Sequence, residues 1–373
     1  MPLYVRCARY FLISGFVCVF LALVSGCGGD SEEPASVGEA SPTAEDGAAV
    51  PAAIEGDAEV VESGGGPAVG DEAAVTLDSE LPNYEVTAAA GGSLRSIGSD
   101  TLLNLMTRWA DTFADFHPAV QAQIEGKGSS TAPPALIENQ AEFGPMSREM
   151  KAEEIDRFVE EYGYEPTRLR VAIDCIAVCV HRDNPIESMT LDEIRRVYSI
   201  TGGQLTWGDA GVAADALRSR PITLYGRNSA SGTYAFFKEV ALSGSDFKPT
   251  VKEQPGSAGV VRAVAADQTG IGYTGIGYLT SGVRAVPVSR GGGEEPAPPT
   301  LEAAKSGAYP LARYLYMYVN YNPAEGLDPL REAFIRFVFS EDGQEEVIED
   351  GAYPVSAELA RQELQKVGLE PGF

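Results

Sequence analysis

The spacing of apolar residues along this chain switches repeatedly between short runs and a helical repeat. SLRSIG, from Ser93, reads as a strand. The next apolar residues fall at 102, 103, 105, 106, 109, 110, 113 and 116, a helical spacing, and Asp100 or Thr101 stands where a cap is needed. AVQAQIEG is the next strand, and KGSSTAPPALIENQ is a loop and a short helix with prolines suited to its first turn. AEFGPMSREM is a short strand running into a turn, and RLRVAIDCIAVCVHR is a long buried strand. TLDEIRRVYS predicts a helix capped by Thr190, with Glu193 completing a capping box. ITLYGR is a strand that leads into GRNSASGT, and Tyr234, Phe236, Phe237, Val240 and Ala241 then form the buried stripe of a short helix. GSAGVVRAVAAD is helical, GIGYTGIGYL and RAVPVS are strand-like, and GGGEEPAPP is a loop. ARYLYMYVNY is a strand, and DPLREAFIRFVFSEDGQEEVIEDG supplies the last helices. Alternating strands and helices predict an α/β architecture with mostly parallel sheets.

Ahead of Ser93 the pattern is different. Arg6 and Arg9 precede an apolar run, Phe11 to Val24, that is short for a membrane span, which needs about 20 residues. Val24-Ser25-Gly26-Cys27 follows, small residues before a cysteine, and resembles the bacterial lipoprotein cleavage site. Residues 1–26 are therefore expected to be a signal peptide, with Cys27 the lipid-modified first residue. Residues 28–92 hold fifteen Asp or Glu and no Lys or Arg, and are rich in Gly, Ala, Pro and Ser. Such a segment buries too little apolar surface to offset its ordering entropy, so residues 27–92 read as a disordered acidic tether. The tether carries −15 of the net −26 and the signal segment +2, which leaves about −13 for residues 93–373. Salt screens such charge beyond roughly 8 Å, so a local positive site can persist on an acidic protein.

Cysteine and histidine usage narrows the chemistry. Cys175 and Cys179 share a strand face but lie about 13 Å apart along it, too far for an undistorted disulfide, and read as buried free thiols. His117 and His181 are the only histidines and look like surface positions, so a zinc site is poorly supplied. No cofactor and no metal are expected.

Three segments share one build: a strand, a small polar loop, then a helix start. They are Gly98-Ser99-Asp100-Thr101, Gly128-Ser129-Ser130-Thr131, and Arg227 through Thr233. In open α/β sheets ligands sit beyond the C-terminal strand ends, often at helix N-termini, where unpaired N–H groups hold anions. A serine cap of an ordinary helix accounts for any one of these loops. Three of them together with Arg227 point to convergence on one tetrahedral anion.

These residues resemble the periplasmic phosphate-binding proteins of ABC transporters, in the expected order and over nearly all of residues 93–373. IGSDTL resembles the family's first ligand loop, and EGKGSSTAPPAL the second, where a Ser of the Gly-Ser-Ser run is a ligand. AEFGPMSRE resembles the stretch holding the family's carboxylate, and GRNSASGT the motif of Arg followed four residues later by Ser-Gly-Thr. LTWGD and SEDGQEEV also match, as scaffold. The resemblance implies phosphate ligands at Thr101, backbone N–H groups near Leu102, Ser129, Glu142, Arg227, Ser231, Gly232 and Thr233. Glu142 stands where the family usually has Asp, and Ser229 where it often has an acid that partners the arginine. The second departure is expected to free the Arg227 guanidinium to face the ligand. An ionised Glu142 would accept a hydrogen bond from the proton that phosphate still carries at neutral pH and repel sulfate, which carries none.

Enzyme readings find less support. Gly-x-Ser-x-Gly is absent, a P-loop lysine is absent, and no metal cluster or cysteine nucleophile presents itself for phosphatase chemistry. A binder needs only what is present. The resemblance implies a two-lobed fold with the ligand in the cleft, lobe one being 93–176 with 312–373 and lobe two 177–311. It further implies a monomer that is lipid-anchored outside the cytoplasmic membrane and delivers phosphate to an ABC transporter permease, with no nucleic-acid partner. The alternatives are a binder of another oxyanion (sulfate, molybdate or tungstate) and a tethered phosphate sensor without a transporter.

Overall fold

Short β-rich runs and 3.6-residue repeats become strands and helices largely where the pattern places them. The computed structural model describes residues 75–86 and 90–370, so the signal-like segment, Cys27 and most of the acidic stretch lie outside the described residues. The strands are β1 Gly91–Gly98, β2 Ala119–Gly126, β3 Phe143–Met146, β4 Thr167–His181, β5 Met189–Thr190, β6 Thr223–Arg227, β7 Lys252–Gln254, β8 Gly270–Gly275, β9 Val283–Ala285, β10 Val288–Ser289 and β11 Ala312–Val319. The helices are α1 Leu103–Phe116, α2 Ala132–Ile137, α3 Ala152–Tyr162, α4 Leu191–Tyr198, α5 Asp215–Arg218, α6 Gly232–Val240, α7 Gly256–Ala265, α8 Leu301–Lys305, α9 Pro329–Val338, α10 Glu341–Glu349 and α11 Ala357–Gln365. The capping box of α4 forms as the spacing requires: Glu193 N–H donates to Thr190 Oγ1, and Thr190 N–H to the Glu193 carboxylate.

The main sheet runs β2-β1-β3-β11-β4-β8-β6-β7, with β9 on the other edge of β4. It is mixed, not mostly parallel. β1 is parallel to β2 and β3, and β6 is parallel to β7 and β8, as crossover helices dictate. Between these halves β11 and β4 run antiparallel to their neighbours. β4 joins the halves because it is long and buried almost throughout. Residues 167–175 of β4 pair with β11, and residues 176–181 pair with β8 and β9.

The apolar interior changes hands at the same place. Leu94, Trp109, Phe113, Val171, Met317 and Phe337 belong to one core. Ile176, Tyr198, Trp207, Phe237, Tyr273 and Tyr309 belong to another. Along β4 the first core ends with Ala172 and the second begins with Cys175; on the return, Leu311 is in the second and Leu315 in the first. Each core buries a tryptophan whose indole N–H finds a carbonyl, Trp109 on Gly343 at 2.6 Å and Trp207 on Thr269 at 3.1 Å. Cys175 and Cys179 are both buried and are not joined in a disulfide, as their spacing predicts.

Two expectations need correction. Residues 75–86 were assigned to the tether but lie on the folded body: Leu81 is buried, and Leu77 and Tyr84 pack on the first core. Polar groups fasten this segment too. Ala357 N–H donates to Asp78, Glu341 N–H donates to the Pro82 carbonyl, and Tyr84 N–H donates to Asp342. His117, expected at the surface, is buried between Tyr84 and Phe113. Its Nδ1 accepts the Ala90 N–H at 3.1 Å, which places its proton on Nε2, 2.7 Å from the Tyr84 hydroxyl. A ring at a helix end becomes a core residue because the incoming chain covers it.

Leu81→Ala should therefore lower stability by about 2–4 kcal/mol, read from urea unfolding; a change near zero would mean the segment is not part of the cooperative unit. Burial pushes the His117 pKa below its ordinary value of 6.5. Protonating Nδ1 would also break its bond from Ala90. The contribution is thus present above pH 6.5 and lost as pH falls through the depressed value. Unfolding midpoints on either side of that pH should show an acid-side loss that His117→Gln reduces.

Candidate functional site

The parallel strands on both sides of β4 and β11 end in small polar loops, and these loops meet. Ser99 follows β1, Ser129 follows β2, Ser147 follows β3, and Arg227 ends β6 ahead of α6. Ser99 caps the short turn Asp100–Leu102, accepting the Thr101 N–H at 3.1 Å. Its own N–H donates to the Pro145 carbonyl at 2.7 Å, which ties the β1 loop to the β3 loop. Gly128 has φ 111° and faces Ala230, where a Cβ would come within 2.6 Å of the carbonyl oxygen. Gly232 opens α6 directly against the Ser129 and Ser147 hydroxyls, so any side chain there would displace them.

Counting protons shows what the cluster can do. Ser147 N–H donates to Ser129 Oγ at 3.0 Å, Ser99 Oγ donates to Ser147 Oγ at 3.0 Å, and Ser129 and Ser147 share a bond of 3.2 Å. Three hydroxyls with two mutual bonds leave one proton without an internal acceptor. Thr101 and Thr233 share a single bond of 2.8 Å, while Arg313 Nη2 donates to Thr233 Oγ1 at 3.0 Å. One proton is again left over. Ser231 Oγ accepts the Tyr234 N–H, and Ser257 Oγ accepts from Arg227 Nη1 at 2.8 Å; neither hydroxyl donates to a described residue. Arg227 Nε, fully buried, has no partner among the described residues. Buried donors are normally satisfied, so this surplus marks the place for an acceptor-rich ligand. The chemistry fits an oxyanion.

Two guanidinium–carboxylate pairs frame the donors. Arg227 lies 3.1 Å from Asp100 Oδ2, its side chain 4% exposed. Burial lowers its pKa and Asp100 opposes that shift. Arg313 contacts Asp174 Oδ2 through Nε at 3.0 Å and Nη2 at 2.7 Å, both side chains being fully enclosed. Asp174 Oδ1 also accepts the Ile276 N–H, and Arg313 Nη1 donates to the Ser147 carbonyl at 2.7 Å. The formal charges of these four residues cancel locally, and attraction for an anion rests on unspent N–H and O–H dipoles.

Of the residues predicted from the sequence, the structure brings together Thr101, Ser129, Arg227, Ser231, Gly232 and Thr233. Leu102 completes the turn at Ser99, with its side chain in the first core. Glu142 is not brought in. Its carboxylate accepts the Arg95 backbone N–H at 2.6 Å and pairs with the Arg95 guanidinium at 2.6 Å. It stands at the start of β3, whereas the loops converge at the far end, and five residues of strand span about 16 Å. Arg227 is also not left free by Ser229, because Asp100 takes the place of the acid absent there. Sequence reading missed Ser99, Ser147, Asp174, Ser257 and Arg313. Ser147 was within reach, since the rule that ligands lie past the C-terminal strand end selects it over Glu142.

The chain matches the PBP superfamily domain over residues 84–342. It is 45% identical to the phosphate-binding protein PstS of Pseudomonas aeruginosa over 303 residues, 80% of this chain and 94% of that protein. The chain belongs to the PstS family of phosphate-binding proteins. Among solved structures, a protein from Clostridium perfringens assigned as a phosphate ABC transporter substrate-binding protein, with bound phosphate, superposes with TM-score 0.61 at 26% identity. That match covers 71% of this chain and all of the other. An ABC-type phosphate transport receptor from Vibrio cholerae gives TM-score 0.55 over 71% of this chain and, at 21% identity, is a likeness of fold. The two cores threaded by β4 and β11 are the two-lobed α/β architecture of the PstS family.

Glu142→Gln should leave anion affinity within about twofold, while Thr233→Val, which strands the Arg313 and Thr101 groups, should lower it by about tenfold or more. Calorimetric titration of both variants with phosphate decides this. An equal loss for Glu142→Gln would return that carboxylate to the site.

Proposed function

We propose that this protein binds inorganic phosphate outside the cytoplasmic membrane and delivers it to an ABC transporter for uptake. The observation that carries the reading is the surplus of buried donors around Arg227, at the strand ends where both halves of a PstS-family chain meet. The Pseudomonas relative bears the name of a phosphate-binding protein, and the Clostridium structure holds phosphate. The ligand set we assign is Thr101, the backbone near Leu102, Ser129, Arg227, Ser231, Gly232 and Thr233, with Ser147 added and Glu142 removed. Lobe one comprises 93–176 with 312–373, joined by 75–86, and lobe two comprises 177–311; the change of core along β4 and β11 supports these bounds. Phosphate then sits between the lobes. The protein acts as a monomeric binder, not an enzyme, tethered through a lipid on Cys27. The run of small residues before that cysteine supports the anchor.

Each charge-assisted hydrogen bond contributes about 1.5–3 kcal/mol, so several of them account for a micromolar or tighter Kd. Arg227→Ala should lower phosphate affinity by about a hundredfold, more than the loss of any single hydroxyl, because it removes both a charge and the Nε donor. Titration with phosphate and with sulfate checks the reading. Tight phosphate binding is the expected result, with sulfate as the comparison anion; unchanged phosphate affinity in Arg227→Ala would refute the site.

A further inference from the structure

Asp100 stands in the first polar loop, yet among the described residues its carboxylate contacts lie in the opposite lobe. Oδ2 accepts the Ser257 N–H at 2.9 Å, at the start of α7, and lies 3.1 Å from Arg227 Nη2. The backbone beside it is held from the same side, with the Tyr278 hydroxyl 2.9 Å from the Asp100 carbonyl and 3.3 Å from that of Thr101. Gly256, at φ +73°, leaves the space: a Cβ there would lie 2.6 Å from Asp100 Oδ1. All of these bonds run from the loop after β1 to Arg227, Ser257 and Tyr278 in the other half of the chain, and none passes through an anion.

We propose that Asp100 is a positioning residue that latches the lobes together and orients Arg227 before phosphate arrives. The arrangement does two things at once. Nη1 of Arg227 is held by Ser257 and Nη2 by Asp100, which leaves Nε as its one nitrogen without a partner among the described residues. Asp100 also takes an N–H at the α7 N-terminus, so the α6 N-terminus, with Ser231, Gly232 and Thr233, is the one left for the ligand. The affinity part of this inference rests on the proposed phosphate function; the latch itself does not.

The test compares the full chain with Asp100→Ala and Asp100→Asn by small-angle scattering without ligand and with saturating phosphate, and by titration and stopped-flow dissociation. Without ligand, Asp100→Ala should have the larger radius of gyration, and phosphate should restore the wild-type value. Its phosphate affinity should fall about tenfold, through faster dissociation. Asp100→Asn keeps the shape of the side chain and an acceptor for Ser257 N–H, so it should fall between; its thermal unfolding separates lost folding from lost latching. Coincident ligand-free profiles, or tighter phosphate binding by Asp100→Ala, would overturn the proposal, the latter because the carboxylate would then only compete with phosphate for Arg227. Should the wild type bind no phosphate, the function assigned above fails, and the ligand-free profiles still decide the latch.

Discussion

The Arg313–Asp174 pair is the contact on which the site depends. The two residues face each other across the β4–β11 ladder, where one core gives way to the other. A buried pair of this kind is weak support for stability, but removal of one partner leaves an uncompensated charge, at a cost of about 3–5 kcal/mol. What the pair adds is position. Arg313 also donates to the Ser147 carbonyl and to the Thr233 hydroxyl, one from each half of the chain. Asp174 spends its second oxygen on the backbone after β8. Polar groups from β3, α6 and β8 are thereby referred to a single rigid point on the two strands that every part of the fold shares.

That point was not legible in the sequence. Asp174 and Arg313 are 139 residues apart, and nothing local in either segment announces the other. A carboxylate inside the apolar run AIDCIAV was a hint, because a charge in a buried strand needs a partner. What was legible was local. The long strand, the Thr190 cap with Glu193, and the hydroxyl-rich loops after β1, β2 and β6 each follow from a pattern within a dozen residues. The Glu142 assignment failed by five residues on one short segment, because a motif match does not say which end of the strand faces the ligand. Residues 75–86 were lost in an average: Val75, Leu77, Leu81 and Tyr84 dock them, but they sit in a stretch rich in acids, Gly and Ala. α3 went unread because its larger apolar positions, Ile155, Phe158, Val159 and Tyr162, are set among six charged ones.

Local charge balance explains how a site built of N–H and O–H donors can reside on so acidic a protein. The carboxylates nearest the donors are each paired with a guanidinium, so the repulsion felt at the site comes from residues farther off, and salt screens those first. The donors themselves are enclosed, where hydrogen bonds strengthen.

That balance has a kinetic consequence. With both arginines neutralised at close range, the field an approaching anion meets is that of the whole surface, and the surface is negative. Nothing steers the ligand in from a distance; encounter is left to diffusion against a shallow opposing slope, steeper in dilute buffer than in brine. Holding on is a separate matter, decided by short-range geometry after arrival.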